Sequence, residues 1–149
     1  MTVIGLTGPT GAGKTTALRV LEDMGFTVVD CDALYYELLK TDEGLRRQLQ
    51  DTFGNVFLPD GRLDRPALGR LVFGDKRALD KLNAIVFPAV TAAVREKISV
   101  CSGRGLVIDA INLIESGLGA LCDCTVAVTA PPEVRIRRIM ARDGISEDY

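Results

Sequence analysis

Residues 2–16, Thr-Val-Ile-Gly-Leu-Thr-Gly-Pro-Thr-Gly-Ala-Gly-Lys-Thr-Thr, constrain the fold more than any other stretch of this chain. The apolar run Val3–Leu6 reads as a buried strand. Gly8-x-x-x-x-Gly13-Lys14-Thr15 follows it, with the spacing of a phosphate-binding loop. Ala17, Leu18, Val20, Leu21 and Met24 then recur at helical spacing. Strand, glycine loop and helix form the context that this pattern requires, and they imply an α/β fold.

The residue types match the chemistry of holding a phosphate chain, which is bound by backbone N–H groups and by the positive end of a helix. Gly8, Gly11 and Gly13 allow a close backbone approach. Lys14 supplies a charge for β- and γ-phosphates, and Thr15 a hydroxyl for Mg²⁺. Ala12 and Thr16 complete the candidate phosphate-binding segment. The spacing Gly8-x-x-Gly11-x-Gly13 does not fit the dinucleotide fingerprint G-x-G-x-x-G.

A length of 149 residues suits one domain, and a hydrophobic content of 47% supplies a core. The net charge of −2, with no basic block, disfavours nucleic acid as a partner. The first residues form an uncharged strand with no basic segment before it, so no secretory signal is expected. No apolar run approaches the roughly 18 residues of a membrane span. Cys31, Cys101, Cys122 and Cys124 form no C-x-x-C pair, and no histidine is present to complete a metal site. Reduced thiols in a cytoplasmic protein are the expectation. Without histidine, acid–base chemistry falls to carboxylates, lysines, tyrosines or cysteines.

Gly25 is placed to cap the first helix, and Phe26–Val29 reads as a second strand ending in Asp30-Cys31-Asp32. Ligands of open α/β sheets bind at the carboxyl ends of strands, so Asp30 and Asp32 stand where a nucleophile or metal would be served. Asp32 is equally suited to cap a helix starting near Ala33. From Ala33 to Cys101 the pattern is almost wholly helical. Leu34, Leu38 and Leu39 form one stripe, and Leu45, Leu49 and Phe53 another. Pro59-Asp60-Gly61 marks a turn, Asp64 a helix N-cap with Pro66 in the first turn, and Asp75 the next helix start. Phe87-Pro88 is expected to interrupt that helix, with Pro88 beginning another that carries Val90, Val94 and Ile98. This insertion serves either packing or a second substrate. Arg62, Asp64 and Arg65 near its turn read as charged surface or as part of that site.

Leu106–Ile108 is a third strand ending in Asp109, the position of a second metal-side carboxylate in phosphate-loop proteins. Glu115 lies on the segment beyond it, turned either to the same cleft or to solvent. Cys124–Val128 is a fourth strand. Ala130-Pro131-Pro132 opens a helix with Val134, Ile136 and Ile139 partly buried. Arg135, Arg138 and Arg142 share one face of that helix by i, i+3, i+7 spacing. Such a face is either solvated or suited to transferring phosphates, and Arg138 and Arg142 are the candidates. Ser146-Glu147-Asp148 looks like the capped start of a further helix.

Taken together, these residues resemble the dephospho-CoA kinase family, whose reaction is the last of coenzyme A synthesis. The resemblance is carried by Gly5–Gly8 with Gly11–Thr15; by Asp30-Cys31-Asp32-Ala33; by Asp60-Gly61-Arg62-Leu63-Asp64-Arg65 with Leu71-Val72-Phe73; by Val107-Ile108-Asp109 with Leu113 and Glu115; and by Arg138 through Ser146. It implies a phosphate-loop kinase fold: a parallel-sheet core at 1–32 and 103–135, a helical substrate-binding region at 33–102, and the start of a lid at 136–149. It also implies phosphorylation by ATP, with Mg²⁺, of the ribose 3′-hydroxyl of dephospho-CoA. Asp32 matches the family's presumed base, Lys14 and the loop amides hold ATP, and Thr15 and Asp109 serve the metal. Arg138 and Arg142 match lid-side arginines meeting nucleotide and phosphate. Asp30, Arg62, Asp64 and Glu115 fall to the substrate side.

Three departures accompany the resemblance. Phe87 stands where the family usually has histidine. Ala110-Ile111-Asn112-Leu113-Ile114-Glu115 replaces the usual x-Pro-Leu-Leu-Phe-Glu. The returning lid helix and last strand of the family are not among these residues, which implies a chain cut within the lid. Two other readings stay open: a kinase of the same architecture acting on another small hydroxyl compound, and a non-catalytic nucleotide-binding relative. A GTP switch is disfavoured, because no Asn-Lys-x-Asp motif follows the fourth strand.

Overall fold

In the computed structural model, residues 1–146 are described. The chain alternates strand and helix: β1 (Thr2–Thr7), α1 (Lys14–Asp23), β2 (Phe26–Asp30), α2 (Cys31–Thr41), α3 (Glu43–Phe53), α4 (Arg65–Val72), α5 (Lys76–Val100), β3 (Gly105–Asp109), β4 (Cys124–Ala127) and α6 (Pro132–Asp143), with a short 3-10 turn at Leu118–Leu121. No helix among the described residues is long and apolar enough to cross a membrane. The four strands form one parallel sheet in the order β2-β3-β1-β4. Parallel neighbours need crossover connections, and the helices between the strands supply them.

The described residues pack as two compact units, one formed by 1–30 with the chain from 97 onward, the other by 31–96. In the first, β3 is the sheet's core: Leu106, Val107 and Ile108 are buried, as are Val3 and Leu6 beside them on β1. A continuous apolar run is what a strand covered on both faces requires. Residue pairing aligns the carboxyl ends, with both Leu6 and Asp30 opposite Asp109. β4 lies at the sheet edge, and its four residues are exposed. Asp123 ties the entry to β4 down: its Oδ2 accepts from the Val3 N–H at 2.7 Å and its own N–H donates to the Val3 carbonyl at 2.8 Å.

The second unit is helical and has its own core of Leu39, Leu45, Leu49, Val56, Phe57 and Leu68, with Leu38, Phe53, Leu63, Leu82 and Ile85 packed against it. The two leucine stripes predicted from sequence are two helices, α2 and α3, separated at Asp42, whose side chain caps α3 by accepting from the Leu45 N–H at 3.0 Å. Between α3 and α4 the chain turns at Pro59-Asp60-Gly61, closed by Gly61 N–H to Leu58 carbonyl at 2.9 Å and by an antiparallel bridge between Phe57 and Leu63. Arg46 holds this turn from α3, donating to the carbonyls of Leu39 and Gly61 at 2.7 Å each while its guanidinium lies 4.2 Å from the centre of the Phe57 ring. Asp64 caps α4 by accepting from the Ala67 N–H at 3.1 Å, and Asp75 caps α5 by accepting from Arg77 and Ala78.

Three expectations are corrected. Pro88 neither breaks nor starts a helix: α5 runs unbroken through it for 25 residues. One proline removes a single i→i−4 bond. Ala84, whose carbonyl loses its donor, and Pro88 are both exposed, so that carbonyl is open to solvent. The helix expected to start near Ala33 begins at Cys31, directly after β2, so Asp32 falls inside its first turn. Ile136 is exposed rather than partly buried. The further helix expected at Ser146-Glu147-Asp148 falls largely outside the described residues; Ser146 itself has no regular structure.

Leu49 is fully buried at the centre of the helical core. Leu49→Ala is expected to cost about 2–5 kcal/mol of stability, measured by denaturant unfolding, because a cavity adds to the lost transfer energy. Phe73→Ala, at a site 91% exposed, is expected to change stability by less than about 0.5 kcal/mol.

Candidate active site

Because β1 and β3 are parallel neighbours, the loop that leaves β1 and the carboxylate that ends β3 emerge at one sheet edge. The loop folds back on itself through Ala12 N–H to Pro9 carbonyl at 3.2 Å, and α1 starts at Lys14. Gly13 occupies the N-cap position at φ 102°, with no side chain to cap the first turn. The first turn of α1 thus has no side-chain cap at Gly13, at the positive end of the helix. Lys14 Nζ donates to Asp109 Oδ1 at 2.6 Å, the two side chains being 19% and 12% exposed. Thr7 Oγ1 donates to the Ile111 carbonyl at 2.9 Å, tying the segment after β3 to the start of the loop.

The α6 helix backs the loop. Arg135 Nε donates to the Thr10 carbonyl at 3.0 Å, and Arg138 Nη1 to the Gly11 carbonyl at 3.1 Å. Gly11 has φ 80°, and a Cβ there would lie 2.9 Å from the Arg135 carbonyl oxygen and 3.2 Å from Ile139 Cγ1. Glycine is needed at this position for its backbone angle and for the space α6 occupies. Together, Gly8, Gly11, Gly13, Lys14, Thr15, Arg138 and Arg142 line a cavity of about 290 Å³. Ile111 lines the same cavity. Glycine amides, a lysine, a hydroxyl and arginines around one cavity are a chemistry for a polyphosphate.

The family model described as dephospho-CoA kinase matches residues 2–149. The chain belongs to the dephospho-CoA kinase family. The dephospho-CoA kinase of Carboxydothermus hydrogenoformans is 37% identical over 98% of this chain and 73% of its own length. That of Anaeromyxobacter dehalogenans is 42% identical over 97% and 71%. Among solved structures, a Thermus thermophilus protein superposes with a TM-score of 0.82 at 37% identity, covering 99% of this chain and 75% of that one. The dephospho-CoA kinase of Campylobacter jejuni superposes at 0.63 with 20% identity, a likeness of fold. The fold is that of a phosphate-loop kinase.

Within this family member, the remaining predicted residues fall in several places. Ala12 is buried in the loop, and Thr16 is exposed on α1. Arg142 is held by its neighbour, Nε to Asp143 Oδ1 at 2.6 Å and Nη2 to Oδ2 at 2.8 Å. The hydrogen bonds and charge of Arg142 hold the Asp143 carboxyl below the usual carboxylate range, and those of Asp143 raise the guanidinium. Asp30 is exposed at the end of β2, level with Asp109, and Asp32 is exposed in the first turn of α2. Glu115 is exposed, and Ile111 rather than Glu115 lines the loop cavity from that segment. Arg62 and Asp64 line a second cavity of about 550 Å³, which lies within the helical unit. There, Arg62 pairs with Asp60 at 2.7 Å, and hydrogen bonds from Arg62 lower the Asp60 carboxyl. The Asp64 carboxylate is engaged as the α4 cap. Arg65 stacks 3.8 Å over the Tyr36 ring, and burial, with Tyr36 beside it, pushes the Tyr35 hydroxyl to about 12. Phe87 is half-buried inside α5.

Sequence reasoning placed Arg135 on the arginine face without singling it out. Its helical register with Arg138 was the available signal. Ile111 carried none, because its place depends on the Thr7 bond. No group of three acidic, cysteine or histidine side chains suited to a metal occurs among the described residues. Thr15 and Asp109 fit a cation of the Mg²⁺ type, which is held by one or two carboxylates together with phosphate oxygens and water.

Gly11→Ala forces a side chain into a left-handed backbone and against the α6 backbone. Calorimetry should show a destabilised variant, by about 1–3 kcal/mol from backbone strain, with at least about tenfold weaker ADP binding.

Proposed function

We propose that this chain transfers the γ-phosphoryl group of ATP to the ribose 3′-hydroxyl of dephospho-CoA, forming coenzyme A and ADP. One observation carries the reading: a phosphate loop with Lys14 and Asp109 joined at its mouth occurs in a chain that matches the dephospho-CoA kinase family over residues 2–149.

The chemistry is in-line displacement, in which the protein positions the groups and balances charge. The loop from Gly8 to Thr16 would hold the β- and γ-phosphates through its amides. Lys14, which meets Asp109 at 2.6 Å, would turn its ammonium to the phosphate oxygens. Thr15 and Asp109 would hold Mg²⁺, which when bound supplies Lewis-acid polarisation of the phosphate oxygens. Arg138 and Arg142 would offset charge developing on the transferred group. For Arg142 this means exchanging Asp143 for phosphate. Asp32, two residues beyond the end of β2, would accept or orient the acceptor hydroxyl proton. With no histidine in the chain, a carboxylate is the natural group for that task. Asp30, Arg62, Asp64 and Glu115 are proposed on the acceptor side, with the helical stretch 33–102 as the acceptor region and 136–149 as the start of a lid that excludes water.

ADP release from ATP and Mg²⁺, assayed with and without dephospho-CoA, tests the reading: turnover should depend on dephospho-CoA. Nucleotide binding without transfer to it, or faster transfer to a nucleoside monophosphate, would overturn it. Lys14→Ala should lose at least about 100-fold in turnover while circular dichroism shows a folded protein. Asp32→Asn should lower kcat by about 100-fold or more with little change in the KM for ATP. Equal losses in both would make Asp32 a binding residue.

A further inference from the structure

Resting on the reading of residues 8–15 as the nucleotide-phosphate loop, we propose that Arg135 is a positioning residue for the transfer reaction, one that sets the direction of the loop's amides before nucleotide arrives. Three observations converge on it. Its Nε donates to the Thr10 carbonyl at 3.0 Å, across 125 positions of sequence. Its own backbone fills the space beside Gly11, the carbonyl oxygen lying 2.9 Å and the Cα 3.2 Å from where a Cβ would stand. The next peptide along the loop is held in the same way, through Arg138 Nη1 to the Gly11 carbonyl at 3.1 Å.

The consequence follows from peptide geometry. A peptide unit is planar, and no cis bond occurs among the described residues, so its C=O and N–H point in opposite directions. Drawing the Thr10 carbonyl toward α6 turns the Gly11 N–H away from the Arg135 guanidinium. Phosphate recognition needs such N–H groups oriented together. A loop ordered in advance loses less freedom on binding and presents fixed dipoles to the charge that develops during transfer. Arg142 differs: its guanidinium is taken up by Asp143, and it lines the cavity itself. Arg135 acts from behind the loop, through the Thr10 carbonyl.

The test uses the full chain, with Arg135→Ala and Arg135→Gln; glutamine keeps an N–H donor and discards the charge. Amide exchange over residues 8–13 is followed without nucleotide, Mg-ADP affinity by calorimetry, and turnover by the coupled assay. For Arg135→Ala, loop exchange should quicken and the Kd for ADP rise, each about tenfold, the upper size of one lost hydrogen bond. The KM for dephospho-CoA should not move. Arg135→Gln should recover most of both losses. Wild-type exchange and ADP affinity in Arg135→Ala would overturn the proposal. So would an Arg135→Gln variant as impaired as Arg135→Ala, since charge rather than the hydrogen bond would then be acting. If Arg135→Ala does not fold, Arg135→Gln decides: loop protection and ADP affinity near wild type support the proposal, and a tenfold loss overturns it. Loop exchange is read without turnover, so a wild-type chain that binds ADP yet transfers nothing removes the kinase reading and leaves this test intact.

Discussion

The site depends on the parallel pairing of β1 with β3. That pairing brings the glycine loop and Asp109 to one edge and makes the 2.6 Å contact between Lys14 and Asp109 possible. A pair this sheltered gains Coulomb energy and loses hydration in comparable measure, so its contribution is less to net stability than to where it holds the ammonium. A lysine free in solvent would sample many rotamers; this one is held against Asp109 with its charge balanced.

Two kinds of packing support the chemistry. The sheet unit rests on β3, whose interior residues are buried, and on a loop clasped by arginine donors from α6. The helical unit rests on a leucine-rich core and on backbone carbonyls satisfied by Arg46. In both, an arginine reaches main-chain oxygen outside its own helix. A guanidinium offers several donors in a fixed plane, so one side chain can hold an irregular segment that has no ladder of its own.

Much of this was legible because the signals were local. The loop motif, the strand ending at Asp109, the turn at Asp60-Gly61, and the caps at Asp64 and Asp75 each lie within a few residues of what they do. What escaped was decided at a distance or by small energy differences. Pro88 looked like a helix boundary, yet one missing bond on an exposed face is outweighed by the helical turns on either side, anchored by buried Val90 and Val94. The start of α2 was expected near Ala33, but β2 runs into α2 with no linker, which places Asp32 inside the helix. Arg135 could not be told from a solvated arginine until α6 was seen against the loop. The family's match runs over residues 2–149, and the roles proposed for Asp32 and Arg62 follow from that likeness.

The bonds that shape the loop have a kinetic consequence. Lys14 meets Asp109 across 95 positions, Arg135 meets Thr10 across 125, and Arg138 meets Gly11 across 127. Contacts of such long sequence separation are slow to form, since chain entropy is lost before they repay it. The helical unit, closed within residues 31–96, has no such wait. During synthesis, the glycine loop is made well before it can be given its shape, because the helix that clasps it is translated more than a hundred residues later.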